Sequence, residues 1–435
     1  MGGVLGLNYR EHHCIGDLQD GIFQLQHRGQ EYCGFATTDT RLHYEYYPGL
    51  VSANTNAAQL ERFPGRVGVA HVSLSTPQPV VLQSRLGRFA IVFDGVVNNA
   101  EELKEELLQA GSAFAYGTDG EIIAHLIIQG KDIVEGLARL PEKIKGAYSL
   151  LLLTEEGRLF AARCPRGVRP LVIGVNDEGT CAASESGTLD WLGVQQFQDV
   201  EPGAIYELTP TGFNKLWEKP AERITHCAFE YAYMARIDAV IDGVPVSQAR
   251  NNFGSALAAR DSNIKADVVA GVPMSGLGHA LGYHMASQVP YSIVFDYNRY
   301  AHGRSYIPPT PAERKRIATS KLFIVKEAVK NKRIVLCDDS IVRGTQIAHR
   351  VDELINAGAR EVHVRIGAPK LNYPCIYSIS TRSVEELIGA HRTEEEICRI
   401  LGATSLRYNT VEDFVAAIGL PREKLCLACW LGPNG

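Results

Sequence analysis

The spacing of apolar and polar residues predicts two parts of different architecture. In the first part, short apolar runs typical of strands alternate with segments of helical spacing and with turn residues such as Pro202-Gly203. The strand-like runs are 67–74, 89–92, 150–154 and 159–162, and the helix-like runs are 99–110 and 120–129. Residues 1–215 are therefore predicted to form a sheet-rich α+β domain, and residues 216–435 a second domain.

The second part is organised around the segment 332–358. Residues 333–337 form a short apolar run typical of a buried parallel strand, and two carboxylates, Asp338 and Asp339, follow at its end. After the loop 340–345, apolar residues recur at helical spacing. The segment is therefore predicted to be a strand, a loop and a helix in succession.

The loop of this segment has the properties of an anion site. Backbone N–H groups at a helix start point outward, and the helix dipole favours negative charge there. Asp338 and Asp339 cannot hold a phosphate, because they are anions themselves. They suit the vicinal hydroxyls of a ribose, or a magnesium ion beside it. An Asp-Asp pair after a strand is equally compatible with a solvated turn, so both interpretations stand at this point.

Composition narrows the class of protein. The 435 residues suffice for two domains, or three, and 45% hydrophobic with 21% charged residues is ordinary for a globular protein. The formal net charge of −5 gives no electrostatic footprint for nucleic acid. No apolar run reaches the roughly 18 residues of a membrane span, and residues 1–10 lack the pattern of a secretory signal. We therefore expect a cytoplasmic protein that binds neither nucleic acid nor membrane.

The ten cysteines do not form the pattern of a disulfide framework in a chain of this length. Cys426 and Cys429 form a C-x-x-C pair, which fits zinc or a redox pair equally well. Other cysteines are expected to be small buried core residues. These are Cys14, Cys33, Cys164, Cys181, Cys337 and Cys398.

Longer motifs resemble a known family. The run V-L-C-D-D-S-I-V-R-G-T at 335–345 resembles the phosphoribosylpyrophosphate (PRPP) motif of type I phosphoribosyltransferases. Further motifs, spread from the start to about Gly432, are similar to those of the glutamine PRPP amidotransferase family. They are 25–31, 169–171, 184–186, 200–203, 226–236, 241–244 and 248–250. The resemblance implies an α+β N-terminal-nucleophile sandwich, with two sheets between helices, followed by an α/β type I phosphoribosyltransferase domain.

The part that resembles a glutaminase departs from the family at three positions. The family's mature chain begins with a cysteine whose thiol attacks the glutamine amide, but Gly2 stands in that frame and has no side chain. Ser73 replaces an arginine that holds the glutamine carboxylate, and Asp94, before Gly95, replaces an asparagine that stabilises the oxyanion. Asp119 does match the aspartate that binds the glutamine amino group. We therefore predict a degenerate, inactive glutaminase site.

For the second domain, the resemblance implies a PRPP site. Ser275 and Gly276 match a loop whose backbone N–H groups meet pyrophosphate, although Met274 replaces an aspartate of the family. The segment 297–309 resembles the family's loop that closes over PRPP, with Tyr297 in place of a lysine. The residues expected to contact PRPP are Asp338, Asp339, Ser340, Ile341, Val342, Arg343, Gly344, Thr345, Ser275, Gly276, Arg299, Arg304 and Lys321. Mg²⁺ is expected to bind through PRPP, Asp338 and Asp339.

The resemblance also implies a cofactor. In family members that bind an iron–sulfur cluster, four cysteines occur in the contexts of Cys227, Cys375, Cys426 and Cys429. Four thiolates suit a 4Fe–4S cluster, which would tie together the two ends of the second domain.

The leading hypothesis is a family member that transfers phosphoribosyl from PRPP to ammonia or another amine without hydrolysing glutamine. Met274 and Tyr297 lie on the transferase side, and they support a second hypothesis, a non-catalytic regulatory or scaffold paralogue that binds PRPP or nucleotide. A third hypothesis is a transferase for a specialised acceptor outside purine synthesis. The resemblance further implies a nucleotide effector and a homo-oligomer, either a dimer or a tetramer.

Overall fold

The computed structural model describes residues 2–298, 322–378, 381 and 383–433. Four predicted cations of the transferase side lie outside the described residues: Arg299, Arg304, Arg314 and Lys321. Within the described ranges, no helix is long and apolar enough to cross a membrane.

The first domain is a sandwich of two antiparallel sheets between helices. Its strands are β1 (Gly2–Tyr9), β2 (Tyr32–Thr38), β3 (Leu42–Pro48), β4 (Val67–Ser73), β5 (Val80–Ser84), β6 (Gly87–Val97), β7 (Gly146–Thr154), β8 (Leu159–Arg163), β9 (Val172–Val175), β10 (Gly179–Ala183), β11 (Gln196–Asp199), β12 (Ala204–Thr209) and β13 (Gly212–Glu218). Its helices are α1 (Ile15–Gln24), α2 (Val51–Asn54), α3 (Ala57–Leu60), α4 (Ala100–Gln109), α5 (Asp119–Ile127), α6 (Ile133–Lys143) and α7 (Ser186–Trp191). Among the described residues, one sheet has the order β11-β9-β10-β1-β4-β2-β3 and the other β13-β12-β8-β7-β6-β5.

Three apolar layers hold this sandwich together. Val4 of β1 and Leu151 of β7 belong to a fully buried cluster between the two sheets. Leu18 of α1 packs on the outer face of the first sheet, and Ile122 of α5 packs on that of the second. Strand β1 is buried along its whole length, as expected for a central strand covered on both faces. The arrangement confirms the predicted two-sheet sandwich.

The second domain is built on a parallel sheet. Its strands are β14 (His226–Cys227), β15 (Val240–Ile241), β16 (Val244–Pro245), β17 (Val268–Gly271), β18 (Phe295–Tyr297), β19 (Leu322–Ile324), β20 (Arg333–Asp338), β21 (Glu361–Ile366), β22 (Ser405–Tyr408) and β23 (Leu425–Cys426). Its helices are α8 (Val246–Ala259), α9 (Leu277–Ser287), α10 (Lys326–Val329), α11 (Thr345–Asn356), α12 (Ile388–His391), α13 (Glu394–Leu401), α14 (Val411–Ile418) and α15 (Ala428–Leu431). In the described part, the main sheet has the order β17-β20-β21-β22. This confirms the predicted α/β architecture.

The sheet order decides where a ligand can bind in the second domain. Because all four strands are parallel, their carboxyl ends lie at one edge, where open α/β sheets bind ligands. Asp338 ends β20, and the loop after β17 lies beside it at the same edge.

The predicted division between residues 215 and 216 falls inside β13, which pairs with β12 up to Glu218.

A buried ion pair joins the two domains near this division. Arg163 donates from Nη1 and Nη2 to Asp242 Oδ1 and Oδ2, at 2.8 and 3.0 Å. The backbone N–H of Asp242 donates to Asp199 Oδ1 at 3.0 Å. Asp242 thus pairs with the guanidinium while Asp199 lies beside it, and burial together with the charge of Asp242 raises the pKa of Asp199 to about 6.

Asp199→Asn should flatten the pH dependence of stability between about pH 4 and pH 6. The folded-state pKa of about 6 exceeds the ordinary 3.8, so the folded protein keeps a proton that the unfolded chain loses. The contribution of Asp199 to stability therefore falls as pH rises through this window, by at most about 3 kcal/mol. Urea unfolding at both ends of the window measures the slope. The exposed Asp177→Asn is the matched control, and an equal slope in Asp199→Asn and wild type contradicts the assignment.

Candidate functional site

The predicted strand–loop–helix segment forms an open cradle of backbone N–H groups. Strand β20 ends at Asp338 and α11 begins at Thr345. Gly344, with φ of 81°, adopts a left-handed conformation that costs glycine nothing, and it turns the chain into the helix. No hydrogen bond to a described residue occupies the N–H groups of residues 340–345. These groups and the helix dipole form the predicted anion site.

Side chains of the loop fix its shape. Ile341 is buried beneath the loop, and the carbonyl of Val342 accepts a hydrogen bond from the N–H of Ile388 at 2.9 Å. Arg343 forms an exposed ion pair with Glu386 at 2.6 Å. Because the Arg343 side chain is engaged there, the loop's contribution to an anion comes from its backbone.

The two carboxylates at the end of β20 are nearly buried. Ser275 donates from Oγ to Asp338 Oδ1 at 2.6 Å, and the N–H of Asp339 donates to the same atom at 3.0 Å. Burial raises the pKa of Asp338, and burial together with Asp338 raises that of Asp339 well above its usual value. The charge of Arg250 lowers the pKa of Asp339, but by less than burial and Asp338 raise it. The pair therefore favours a ligand that supplies hydroxyl donors or a cation.

The loop after β17 approaches the carboxylates closely. A Cβ at Gly276 would meet the carbonyl oxygen of Cys337, so only glycine fits there. Ser275 connects this loop to Asp338, as described above. Met274, in the family's aspartate position, has φ of 72° and a side chain that is 75% exposed. Tyr297, at the end of β18, is also exposed.

The position of the family's cysteine nucleophile is closed. A Cβ at Gly2 would meet the carbonyl of Val72 and the ring of His71. His71 Nε2 lies 3.0 Å from the carbonyl oxygen of Phe93, and burial lowers the pKa of His71 to about 3, so the ring is neutral. The space that a nucleophile's side chain would need at Gly2 is therefore filled by the protein itself.

Ser73, which stands in place of the family's arginine, and Asp119, which matches the family's aspartate, both form local hydrogen bonds. Ser73 Oγ accepts hydrogen bonds from the N–H groups of Ser75 and Thr76, both at 3.0 Å, and it is buried. Asp119 begins α5 and accepts a hydrogen bond from the N–H of Val97 at 2.9 Å. These contacts show no charged group at Ser73 that could replace the guanidinium of the family.

Asp94 belongs to a buried cluster of charged side chains between the two domains. Arg28 donates to Glu185 at 2.5 Å, to Glu230 at 2.7 Å and to Asp94 at 3.5 Å. Arg169 lies 3.5 Å from Glu230 and 4.0 Å from Asp94. All five side chains are at most 3% exposed. Glu230 comes from the second domain, so the cluster joins the glutaminase-type domain to the transferase domain.

The electrostatics of this cluster exclude an oxyanion hole at Asp94. Burial alone would raise the pKa of Asp94, but Arg169 and Arg28 hold it below its usual value. The ionised carboxylate accepts the N–H of Gly2 at 2.9 Å. An oxygen atom that would become negative during amide hydrolysis would face this anion instead of an amide donor.

Four residues of this cluster lie within motifs of the family resemblance, but the sequence alone offered no reason to assign them a role. They are Arg28, Arg169, Glu185 and Glu230. The signal was present, because each is a charged residue within a motif of the family resemblance. Their pairing could not be inferred, since Arg28 and Glu230 are 202 residues apart in the chain.

The four predicted cluster ligands meet in the structure. Cys227 and Cys426 are paired residues of the parallel strands β14 and β23. A hydrogen bond from Cys429, aided by the charge of Arg169, lowers the pKa of the Cys375 thiol to about 6. Burial raises the pKa of Cys227 and Cys426. As a set of four soft donors beside a cation, they fit a cluster that takes thiolates.

The four thiols do not yet form a metal-binding arrangement in the described part of the chain. Within the described residues, no three Cys, His, Asp or Glu side chains stand in a geometry that could hold a metal ion. The four thiols are therefore of the right chemical type for an iron–sulfur cluster, but their positions in the structure are not those of a formed metal site. The expected core cysteines Cys14, Cys33, Cys164, Cys181 and Cys337 are buried, but Cys398 is only half-buried.

The fold and the site define a type I phosphoribosyltransferase joined to a glutaminase-type domain, and comparisons with known proteins agree. A family model described as a glutamine amidotransferase domain matches residues 67–190. The amidophosphoribosyltransferase of Methanocaldococcus jannaschii is 37% identical, covering 99% of this chain and 97% of the relative. That of Bacillus subtilis is 36% identical, over 95% and 89%. The chain belongs to the amidophosphoribosyltransferase family.

Solved structures give the same result. Glutamine PRPP amidotransferase from B. subtilis, in complex with ADP and GMP, superimposes with a TM-score of 0.91 at 35% identity, covering 99% of this chain and 96% of that one. A structure described as the allosteric regulatory enzyme of purine biosynthesis gives 0.90 at 35% identity, covering 99% and 95%.

Proposed function

We propose that the protein transfers phosphoribosyl from PRPP to a nitrogen nucleophile, ammonia or another amine, and releases pyrophosphate without hydrolysing glutamine. The observation that carries the proposal is a contrast within one chain. In the cradle beside Asp338 and Asp339, no described residue occupies the N–H groups of 340–345, whereas a side chain at Gly2 would meet His71 and Val72.

The reaction needs positioning and charge stabilisation rather than a side-chain nucleophile. The bond between the anomeric carbon and pyrophosphate breaks as an oxocarbenium-like centre forms, and the amine nitrogen attacks the opposite face and then loses a proton to water. Asp338 and Asp339 hold the ribose hydroxyls. The N–H groups of 340–345 hold the 5′-phosphate, and that of Ser275 meets the pyrophosphate, whereas the N–H of Gly276 donates to the carbonyl of Val272 at 2.8 Å.

Two bound groups belong to the proposal. Asp338 and Asp339 fit Mg²⁺, which commonly takes one or two carboxylates together with substrate phosphates and would neutralise charge on the leaving group. Four cysteines, Cys227, Cys375, Cys426 and Cys429, would hold a 4Fe–4S cluster that joins the start of the second domain to its end. We further propose a purine nucleotide effector and homo-oligomeric assembly, in a cytoplasmic protein.

An assay of pyrophosphate release tests the proposal. Purified protein with PRPP and Mg²⁺ should release pyrophosphate with ammonium, or with one member of a panel of amines, but not with glutamine. The B. subtilis glutamine PRPP amidotransferase serves as the positive control for glutamine use. Gly2→Cys should not restore that use, because its Cβ meets His71 and Val72. Ammonia released from glutamine by the wild type would refute the proposal.

A second candidate is a non-catalytic paralogue that binds PRPP or nucleotide and regulates or supports another protein. The exposed Met274, where the family has an aspartate, favours it, because the carboxylate contact near pyrophosphate is lost. Calorimetric binding of PRPP with no turnover of any amine supports this candidate.

Turnover with one larger amine but not with ammonium would indicate a specialised acceptor outside purine synthesis.

A further inference from the structure

A single π-helical turn lies near the start of the second domain. It spans Glu230–Met234, and the N–H of Ala235 closes it on the carbonyl of Glu230 at 3.1 Å. Turns of this kind are rare and frequently lie at functional sites. Glu230, its first residue, accepts a hydrogen bond from Arg28 in the buried charge cluster, whereas Tyr233 near its end is 51% exposed. This turn, which we call the π turn, therefore extends from the domain junction towards the surface.

One guanidinium holds the π turn from the helix α8. Arg250 donates from Nε to the carbonyl of Tyr231 at 3.0 Å, and from Nη2 to those of Tyr233 and Ala235 at 3.0 and 2.7 Å. Carbonyls at the end of a helical turn have no N–H partner within the turn. Arg250 is buried, and in the described part of the chain its side-chain hydrogen bonds all go to these carbonyls. Its guanidinium therefore fixes the end of the π turn.

Contacts through α9 connect the π turn to the carboxylate pair. His279 Nε2 of α9 lies 3.4 Å from the carbonyl oxygen of Ala232. The ring of His279 packs directly against Gly367, where a Cβ would clash with its Nδ1. The N–H of Gly367 in turn donates to the carbonyl of Asp338 at 2.9 Å. Two intervening residues, His279 and Gly367, therefore connect the π turn to the residue that ends β20.

The side chain of Tyr233 shows where the π turn meets the transferase site. Burial and the charges of Asp339 and Asp338 raise the pKa of Tyr233, so its hydroxyl lies near both carboxylates. Because Arg250 holds the carbonyl of the same residue, it also fixes the position of this ring. Loss of Arg250 would therefore move a side chain that borders the PRPP cradle.

We propose that Arg250 is a positioning residue of the transferase site, which fixes the π turn so that Tyr233 forms a wall of the PRPP cradle beside Asp338 and Asp339. This inference rests on the phosphoribosyl transfer proposed above. Arg250 acts through the carbonyls that it holds and not through contact with PRPP. An arginine is required because its planar fork bonds several acceptors in fixed directions, whereas a lysine ammonium is a flexible point charge.

Arg250→Lys and Arg250→Met test the fork and the charge separately. Both variants lose the fork, so both should weaken PRPP binding by at least about 10-fold, whereas only Arg250→Met loses the charge. Isothermal titration calorimetry with PRPP and Mg²⁺ measures binding to the full-length protein. In the pyrophosphate-release assay, KM for PRPP should rise by a similar factor, while KM for the amine should change by less than about 2-fold. PRPP binding by either variant that is as tight as in the wild type overturns the proposal.

Hydrogen–deuterium exchange follows the π turn itself and requires no catalysis. The N–H of Ala235, which bonds to the carbonyl of Glu230, should exchange at least about 10-fold faster in both variants, because the turn is no longer held. Unchanged exchange at this position also contradicts the proposal. A wild type that binds PRPP but releases no pyrophosphate with any amine refutes the proposed transfer alone, since calorimetry and exchange still report on Arg250.

Arg365→Met is the matched control for a loss of stability. Arg365 is a second buried guanidinium of the same domain, and it pairs with Asp261. Its removal should lower the melting temperature about as much as Arg250→Met does, because each leaves buried polar partners unpaired, but it should leave PRPP binding unchanged. Arg407→Met, at the half-buried second partner of Asp261, is a milder control. An equal loss of PRPP binding in Arg365→Met and Arg250→Met would show general destabilisation and overturn the proposal.

Discussion

Asp338→Asn and Asp339→Asn should each lower kcat/KM for PRPP by about 10²–10³-fold, the loss found when one preorganised group is removed from a transition-state site. Each substitution replaces one carboxyl oxygen that holds the ribose hydroxyls with an amide NH₂ group, while keeping the side chain's shape. Because Ser275 holds Asp338 at 2.6 Å, the remaining residues stay in place. Steady-state pyrophosphate release with a fixed amine measures the effect.

The same substitutions should not destabilise the protein. Burial raises the pKa of both carboxylates above the ordinary value of 3.8, so each ionised form is a cost to the folded state at neutral pH. Asp339→Asn is therefore expected to raise the melting temperature. The exposed Asp352→Asn on α11 is the control, and it should change neither kcat/KM for PRPP nor the melting temperature. Activity that is retained in both buried variants would exclude these carboxylates from the PRPP site.

Arg28→Met should destabilise the protein by about 3–5 kcal/mol, the usual cost of removing one partner from a buried charge cluster. It leaves Asp94 and Glu230 with Arg169, and Glu185 with His27. Against the cost of burial, Arg28 and His27 lower the pKa of Glu185 to about 2. Because this lowered pKa stabilises the folded protein fully above the ordinary 4.5, the loss of stability in Arg28→Met should be largest above about pH 4.5 and shrink as pH falls towards 2.

Denaturant unfolding of the single variants and of the double variant Arg28→Met/Glu230→Gln measures the coupling between the two side chains. The double variant should be less destabilised than the sum of the single variants, because Glu230→Gln removes one uncompensated anion. Arg41→Met, at an exposed position of the same domain, is the matched control. Additive losses, or a loss in Arg28→Met no larger than that in Arg41→Met, would show that the cluster does not stabilise the domain junction.

Much of the transferase domain could be predicted because its signal is local. The predicted strand 333–337 is observed as Arg333–Asp338, and the predicted helix begins at Thr345. In the first domain, the predicted helix 99–110 is observed as Ala100–Gln109, and the predicted strands 150–154 and 159–162 lie within β7 and β8. Apolar periodicity and turn residues act over a few positions, so these elements do not depend on distant partners.

The surroundings of Gly2, Ser73 and Asp94 were predictable only in part. Sequence identified Gly2, Ser73 and Asp94 as altered positions, one at a time. It could not show that His71 and Val72 close the position of Gly2, because those residues belong to a different strand, β4, which pairs with β1. It also could not show that Asp94 is paired with Arg28, since the ion pair forms only when the sheets assemble.

The sequence by itself determined the two architectures, the family and the positions at which this chain departs from it, because motifs and periodicity are properties of neighbouring residues. The tertiary structure decided which residues surround Gly2, Ser73 and Asp94 in the folded protein. Residues as far apart as Arg28 and Glu230 meet only in the folded chain, where burial turns their charges into a strong mutual attraction. It likewise decided that the apolar helix α9 keeps one face exposed, since exposure depends on what the rest of the chain covers.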